Sequence, residues 1–429
     1  MSKIGNLFKG DKGIWTVFLF LCLISIVEVF SASSTLTYKS HDYLGPLIYH
    51  CVTILMGLVV AIVTLNIQCR YFKLITPFML ILSYATLLWV LLFGESINGA
   101  NRVIQLPGFT FQPSEIAKGT MVLYTAQILS ALQREDDSGA DPTAMKYILW
   151  LTVPAVLLIG LENLSTAVLL FAVIYTMMLL GRVPWKQMAK LTGVLAACAA
   201  LFMALVFGLG SMDKEAAQEL ADARAGIKTE HVEKKVKEEK NSFEKLTHRF
   251  GTWRNRLLMP GKPKDPKDYK ITDKNFQVTH ANLAIASCGV IGKGPGNSVE
   301  RDYLPQAFSD FIYAIIIEEM GILGAIAVVF LYVVLLFRAG RIASRCENNF
   351  PAFLVMGLAL LLVYQAAINM CVAVDFGIVT GQPLPLISKG GTSTIVNCAY
   401  IGAILSVSKS AKRVLRPVSP ATPSTPIEA

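Results

Sequence analysis

Charged residues are scarce in this sequence, at 16% of 429 positions against roughly 25% in soluble domains. Their scarcity argues against an ordinary soluble domain and for lipid as the surrounding solvent. The remaining charge is net basic, +9, yet it comes without an aromatic-interleaved basic patch, zinc-finger spacing or an RNA-binding signature. The sequence therefore predicts no nucleic-acid partner, and the basic residues are better explained as signals that orient membrane spans.

Several catalytic and metal-binding patterns are also missing. None of the eight cysteines forms a CxxC pair, which argues against a metal knuckle or a disulfide framework. No Ser/His/Asp arrangement, HExxH or haem motif is present, so a conventional soluble-enzyme mechanism is not expected. The glycine-rich segment Gly289–Gly296 lacks P-loop spacing and is interpreted as flexible turns. No small-residue cleavage site follows Ile14–Phe30, so this stretch is predicted to be a first span and not a removed signal peptide.

Long apolar blocks are what the sequence has in abundance. Stretches such as Leu47–Leu65 and Leu354–Val374 are long enough for a helix to cross a hydrocarbon core of about 30 Å. Helices also satisfy their own backbone groups where no water is available. The sequence thus predicts an all-α, polytopic membrane protein of about ten transmembrane helices. The predicted spans are residues 14–34, 45–66, 74–94, 113–132, 147–161, 164–181, 188–209, 307–337, 351–373 and 391–408.

The loops between these spans predict the orientation of the chain. Basic loops alternate with nearly uncharged ones, as the positive-inside rule requires when both termini are cytoplasmic. The predicted regions are a cytoplasmic N-terminus (1–13), helices 1–7 (14–209), an extracytoplasmic loop (210–306), helices 8–10 (307–408) and a disordered cytoplasmic tail (409–429).

The large loop between helices 7 and 8 is unusually charged. Between Met212 and Lys274 lie 16 of the 39 basic and 12 of the 30 acidic residues. Long loops translocate largely regardless of charge, so this segment leaves the predicted orientation unchanged. Its part Lys214–Phe250 is compatible with a solvated helix or with a disordered arm.

Polar residues gather in segments predicted to lie on one outer face. The first contains Asn98–Arg102 and continues to Glu115 and Lys118, which are three positions apart on one face of a helix that begins at Pro113. Ionisable side chains at membrane depth usually face a cavity or one another. Two interpretations stay open: a Glu–Lys pair that neutralises itself, or a cationic anchor for an anionic ligand.

Two further polar segments are predicted on the same face. One holds Asp310, where a loop becomes a membrane helix that also carries Glu318 and Glu319. A carboxylate is stabilised there by the helix dipole, so a structural role stands beside a chemical one. The other is Gly381–Ser393, which includes Ser388. Its density of Pro and Gly prevents a continuous helix and indicates irregular backbone, either lining a cavity or packed without a ligand.

In this order, these motifs resemble the SEDS family (shape, elongation, division and sporulation), which includes FtsW and RodA. The resemblance runs from about Gly13 to Lys412 and rests on NGANRVI, QPSEIAK, GKGPGNS, YLPQAFSDFIYAIIIEEMG and GQPLPLISKGGTS. It implies a ten-helix glycosyltransferase of the cytoplasmic (inner) membrane that polymerises lipid II into peptidoglycan strands on the outer face. It also implies partners: a class B penicillin-binding transpeptidase and other membrane proteins of the divisome.

The resemblance implies a role for one residue, and the chemistry of the reaction suggests candidates for others. The family aspartate matches Asp310, which is predicted to take the proton of the acceptor hydroxyl. Arg102, Glu115, Lys118 and Ser388 are predicted to bind substrate, with Arg102 and Lys118 placing positive charge near the departing diphosphate. A divalent cation would assist this chemistry, but no cluster of oxygen ligands marks a site for one, so no cofactor is assigned.

The sequence departs from the family at two places and leaves alternatives open. Family members often have Asp-Leu-Gly-Thr where this chain has Glu162–Thr166, and Tyr where it has Lys389, so these positions receive no firm role. The segment Val27–Ser33 resembles the FtsW type, which favours division over a RodA-type elongation role. A lipid II flippase and a catalytically silent scaffold are the rival classes.

Overall fold

The computed structural model describes residues 9–32, 45–93, 95–97, 100–106, 109–134, 139–201, 203–204, 276–304, 307–376 and 381–411. The predicted loop 210–306 is described only from residue 276, so the charged segment Lys214–Phe250 lies outside the described residues. Most of the predicted tail 409–429 lies outside them as well.

Eleven helices make up about three quarters of the described chain. They are α1 (Lys12–Ala32), α2 (Gly45–Asn66), α3 (Cys69–Phe93), α4 (Pro113–Ala131), α5 (Thr143–Glu162), α6 (Leu164–Leu180), α7 (185–201), α8 (Phe276–Ala286), α9 (Ile312–Ala343), α10 (Asn349–Ala373) and α11 (Gly391–Ala411).

Each predicted span overlaps one of these helices, and the largest errors at a helix start, five residues each, are in α3, which begins at Cys69 and not at residue 74, and in α9. The α9 span was predicted from residue 307, but residues 307–311 form turns and the helix begins at Ile312. Helix α8 was not predicted as a span, and its 11 residues are too few to cross a bilayer.

The chain is a multi-pass membrane protein. Among the described residues, seven helices are long and apolar enough to cross a membrane: α1, α2, α3, α5, α9, α10 and α11. Their outward faces are apolar, since Leu92 and Trp150 are 71% and 73% exposed. Helix α4 differs because it lies mostly inside the bundle and carries the buried pair Glu115 and Lys118. The exterior is therefore suited to lipid and the polar groups face inward.

Small residues allow the helices to approach one another closely. Helix α2 packs along α11, and a Cβ at Gly57 would lie only 2.7 Å from Cys398 Sγ. Gly402 meets the backbone of Ala61 in the same way one helical turn further along α11. Without a hydrophobic driving force in lipid, such close contacts are a main source of helix association. Helix α10 packs on α9, α4 and α6 in the interior.

A small antiparallel sheet joins α3 to α4, and the sequence did not predict it. Its strands are β1 (Glu95–Ile97), β2 (Ala100–Leu106) and β3 (Phe109–Phe111), in the order β1-β2-β3. Pairing of Ile97 with Ala100 and of Leu106 with Phe109 shows two tight hairpins. Strands of three to seven residues are too short to show a reliable alternation in sequence. The fold class stays all-α, with this sheet as a local addition.

Candidate active site

Asp310 lies in the turn that leads into α9. Its side chain is half-buried, and the Ser309 hydroxyl donates a hydrogen bond to Asp310 Oδ1 at 3.0 Å. The α9 backbone becomes helical two residues later, at Ile312, so the carboxylate sits beside the positive end of a helix dipole. The prediction of a carboxylate at a loop-to-helix junction is confirmed. A partly accessible carboxylate in this position is chemically suited to accept a proton.

Asn369 fixes the backbone on which Asp310 is carried. This side chain is 1% exposed in α10, and its Nδ2 donates to the carbonyl oxygens of Asp310 at 2.8 Å and of Gln382 at 2.7 Å. Gln382 in turn donates to Thr166 Oγ1 at 2.7 Å. Sequence reasoning missed Asn369, although an amide inside an apolar span is itself a signal, since polar groups at membrane depth are costly.

The irregular segment 381–390 forms the second support of the Asp310 turn. The prediction of broken helix is confirmed because these residues are non-helical and α11 begins only at Gly391. The Ser388 hydroxyl donates to the Ser309 carbonyl at 2.6 Å and accepts from the Leu384 amide at 2.8 Å. The Lys389 amide donates to the Phe308 carbonyl at 2.9 Å. Ser388 therefore ties two segments together, and its contact with a substrate stays a prediction.

Glu115 and Lys118 form a closed ion pair inside the bundle. Lys118 Nζ lies 2.9 Å from Glu115 Oε1 and donates to Gln365 Oε1 at 2.7 Å. The two side chains are 2% and 0% exposed. The Ser393 hydroxyl donates to the other oxygen of Glu115 at 3.2 Å. Of the two interpretations open from the sequence, this geometry matches the self-neutralising pair.

The same pair is connected to the irregular segment. Gln365, whose oxygen accepts from Lys118, donates through Nε2 to the Pro383 carbonyl at 3.0 Å. A polar chain thus runs from Glu115 and Lys118 on α4, through α10, to the segment that supports Asp310. The structure brings four of the five predicted site residues, namely Asp310, Glu115, Lys118 and Ser388, into one hydrogen-bonded framework.

Arg102, the fifth predicted residue, lies in β2 of the small sheet. This sheet precedes α4 directly, and the Gln112 amide between β3 and α4 donates to Thr392 Oγ1 on α11 at 3.4 Å. The backbone of Arg102 is therefore attached to the helix that carries Glu115 and Lys118. Its side chain lies outside the described part of the structure.

Glu318 and Glu319 bind the glycine-rich turn. Glu318 accepts from Lys293 Nζ at 2.6 Å, from Ser298 Oγ at 2.5 Å and from the Val299 amide at 3.1 Å. Glu319 accepts from the amides of Gly296 at 3.0 Å and Ser298 at 3.1 Å. Backbone amides that would hold a phosphate in a P-loop are here occupied by the protein's own carboxylates. The segment is a turn, as predicted, but it is held in place and not loosely flexible.

The turn and α9 also meet backbone to backbone. Gly321 has φ 69 and ψ −169 inside α9, which is a break in the helix, and Gly292 has φ 85. A Cβ on either glycine would collide with the backbone of the other segment. Only glycine tolerates both the left-handed backbone and this contact. Gly292 and Gly321 therefore fix where the first part of α9, with Asp310 before it, lies relative to the turn.

Two histidines and one further glutamate are polar residues of the bundle outside this framework. His50 Nε2 lies 2.8 Å from Ser25 Oγ, and His280 Nδ1 lies 2.6 Å from Glu300 Oε2. Glu28 is fully buried, and within the described residues its carboxylate oxygens have no hydrogen-bond partner. No group of three His, Cys, Asp or Glu side chains that could hold a metal occurs in the described ranges.

Comparison with known proteins gives relatives over nearly the whole chain. Residues 11–214 and 247–413 match the FtsW/RodA/SpoVE model, described as a cell cycle protein. The "Probable peptidoglycan glycosyltransferase FtsW" of Halomonas elongata is 30% identical over 376 residues, covering 86% of this chain and 82% of that protein. The protein of the same name from Geobacter sp. is 28% identical, covering 90% and 94%.

Solved structures show the same fold. One described as "Structural coordination of polymerization and crosslinking by a peptidoglycan synthase complex" matches with a TM-score of 0.68 and 22% identity, covering 94% of this chain and 99% of that one. The rod shape determining protein RodA of Thermus thermophilus matches with a TM-score of 0.61 and 21% identity, covering 94% and 98%. The resemblance identified from the motifs is confirmed: the chain belongs to the FtsW/RodA/SpoVE family of cell cycle proteins.

Proposed function

We propose that this chain is a peptidoglycan glycosyltransferase that polymerises lipid II for septal wall synthesis. The observation that carries the proposal is the match to curated relatives named peptidoglycan glycosyltransferase FtsW over 82% and 94% of their length. The geometry agrees with it, since Asp310 is a half-buried carboxylate held on a rigid polar framework.

The proposed reaction joins an acceptor sugar hydroxyl to the anomeric carbon of a second sugar. A carbon–oxygen bond forms there, and the bond to the lipid diphosphate breaks with its electron pair on the diphosphate. Because the diphosphate is a stable anion, it needs little protonation. One base is required, and we assign Asp310 to take the hydroxyl proton. General-base catalysis of this kind typically contributes about 10²–10⁴ in rate.

Positive charge near the departing diphosphate is the second requirement. Because Glu115 neutralises Lys118, we assign this ion pair mainly to positioning the segment that supports Asp310. Direct binding of substrate by either residue stays a prediction. Arg102 stays a candidate through its place next to α4. Lys389 is a further candidate for this positive charge, because its backbone amide donates to the carbonyl of Phe308, two residues before Asp310. Burial lowers the pKa of Lys389, because desolvation disfavours its charged form, and an anion bound beside it would stabilise that form again.

The orientation and partner follow from the same proposal. Both termini lie in the cytoplasm, and the Asp310 end of the bundle faces the outer side of the membrane, where lipid II is polymerised. The solved synthase complex couples polymerization to crosslinking by its own description. We therefore propose a class B penicillin-binding transpeptidase as the partner of this chain, within a divisome assembly.

The test is polymerisation of fluorescent lipid II by the purified full chain, with and without its cognate transpeptidase. We expect long glycan strands from the wild type and none from Asp310→Ala or Asp310→Asn. The control is Asp302→Asn, an exposed carboxylate eight residues earlier, which is expected to retain activity. Equal polymer from the Asp310 variants would remove Asp310 from the chemistry. Movement of lipid II across liposomes without any polymer would instead show a flippase.

A RodA-type elongation role is the second candidate, because RodA shares the fold. Complementation separates the two. Restored septation in cells depleted of their division polymerase supports the septal role, whereas restored rod shape alone would support elongation.

A further inference from the structure

A cavity lies at the end of the bundle opposite Asp310. Helix α11 starts at Gly391 beside the Asp310 framework, and Ser406 follows 15 positions later, roughly 22 Å along a helix that rises 1.5 Å per residue. The Ser406 hydroxyl donates to the Ile67 carbonyl at 2.5 Å in the short turn between α2 and α3. Both residues line a cavity of about 700 Å³. The cavity is therefore separate from the candidate active site.

Three cations surround this cavity. Lys9, Arg70 and Lys409 line it together with uncharged polar residues, and none of the described residues around it is acidic. In the described part of the chain, none of the three cations has an ion-pair partner. The nearest carboxylate in sequence is Asp11, which is occupied because both of its oxygens accept from Arg338 Nη2 at 2.7 Å. All three residues line the cavity, although the Arg70 guanidinium also donates to the Tyr71 hydroxyl at 3.2 Å and lies over its ring. The described lining is therefore cationic and contains no acidic residue.

The setting of the cavity is a membrane–water boundary. Helix α2 has 22 residues, enough to span the hydrocarbon core, and it ends at the cavity with Asn66. From Arg70 an exposed apolar face continues along α3 through Tyr71, Leu74 and Phe78, which are 43%, 65% and 66% exposed. A cationic cavity next to an apolar face offers one place for an anionic head group and another for its acyl chains.

We propose that this cavity binds the phosphate of an anionic phospholipid from the adjoining leaflet. Clustered cations attract phosphate, and its binding relieves their mutual repulsion. Basic pockets between membrane helices are known to suit such head groups. The uncharged side chains of Gln68 and Ser410 also line the cavity; the Ser410 hydroxyl donates to the Ser406 carbonyl at 3.4 Å, which leaves the Gln68 amide as the donor for the remaining phosphate oxygens. This site does not depend on the glycosyltransferase chemistry.

Native mass spectrometry of the purified full chain tests the site. The cavity variant carries Lys9→Gln, Arg70→Gln and Lys409→Gln. The matched control removes three exposed cations elsewhere: Lys186→Gln, Lys190→Gln and Arg345→Gln. The probes are phosphatidylglycerol and uncharged phosphatidylcholine. We expect the wild type and the control to hold one tightly bound phosphatidylglycerol. The cavity variant should bind it about a hundredfold more weakly, from the general contribution of three cations near an anionic surface.

The outcomes separate the possible sources of the anion. Equal weakening in both triple variants would overturn the proposal, because it would show only a general attraction of the surface. Displacement of the lipid by an equal concentration of inorganic phosphate would also overturn it and indicate a site for free phosphate. The single variant Lys409→Gln, an exposed position that folding does not require, should weaken phosphatidylglycerol about fivefold and leave phosphatidylcholine unchanged. No change in this variant would contradict the site.

Discussion

Two groups of buried acids lie near the Asp310 end of the bundle, and they are compensated differently. Glu115 is neutralised by one lysine on the same helix, Lys118, at 2.9 Å. Glu318 and Glu319 are compensated by backbone amides and hydroxyl groups of the turn 289–300 together with two cations, Lys293 at 2.6 Å from Glu318 and Arg301 at 3.7 Å from Glu319. The first group joins helices to one another. The second attaches a loop to a helix.

This difference shows how a buried charge can be used. An ion pair in the interior adds little net stability, because desolvation offsets the attraction, but it becomes costly when one partner is lost. A carboxylate that accepts from several amides fixes the shape of the backbone around it. We therefore expect changes at Glu115 and Lys118 to act on the stability of the whole bundle, and changes at Glu318 and Glu319 to act on the turn.

The change expected to have the largest effect is Lys118→Met. It leaves Glu115 buried without its cation, which should lower the free energy of unfolding by about 3–5 kcal/mol. Unfolding of the purified protein in detergent micelles measures this loss. The double variant Glu115→Gln, Lys118→Met removes both charges and should recover most of the stability. A double variant no more stable than the single one would contradict the idea of a self-neutralising pair.

The next largest effect is expected for Gly321→Ala. Its φ of 69 disfavours any residue with a Cβ, and that Cβ would meet the backbone of Val290 and Gly292. We expect a loss of about 3 kcal/mol and faster proteolysis of the turn. Gly340→Ala in the same helix is the control, because no atom lies near its Cβ position, and there alanine should be neutral or stabilising. Equal effects at the two glycines would show that the turn does not depend on this contact.

Glu318→Gln tests the carboxylate that accepts from the turn amides and is expected to have a smaller effect than the two changes above. An amide side chain replaces one acceptor oxygen by a donor that faces other donors, for an expected cost of about 1.5–2 kcal/mol. Hydrogen exchange at the amides of Val299 and Glu300 should accelerate, whereas Lys118→Met should affect the helices around α4 instead. The exposed Glu347→Gln is the control. Identical exchange patterns from the two buried sites would remove the distinction between them.

The smallest effect is expected at Asp11, which lies just before α1 and pairs with Arg338 near the end of α9. Burial acts to raise the pKa of Asp11, but hydrogen bonds from Arg338 and the Ile14 amide outweigh it and lower the pKa below its usual value of 3.8. The contribution of Asp11 to stability should therefore be present above pH 3.8 and be lost as the pH falls through the lower folded-state pKa.

This contribution is measured by comparing the free energy of unfolding of wild type and Asp11→Asn between pH 7 and pH 3. We expect a difference in the free energy of unfolding of about 1 kcal/mol at pH 7, which shrinks as the pH falls below 3.8. A difference that stays constant with pH would show that the charge of Asp11 is not what stabilises this contact.

The positions of the helices and the class of protein were predictable from the sequence. Apolar length is a local property, so each of the ten predicted spans overlaps an observed helix. The motif around Asp310 and the break at residues 381–390 were also found, because Pro, Gly and isolated carboxylates act on the adjacent backbone. The short sheet after α3 was missed, since strands of three residues leave no clear pattern.

The sequence by itself determined a multi-helix membrane protein of this family, with Asp310 at a loop-to-helix junction. Only the tertiary structure decided what the polar residues contact. Lys118 meets Gln365 across 247 positions, Ser388 meets Ser309 across 79, and Glu319 meets the turn amides across 21 to 23. These partners depend on how whole helices pack against one another. Local sequence carries no information on that packing, so the roles of the buried charges became clear only in the folded chain.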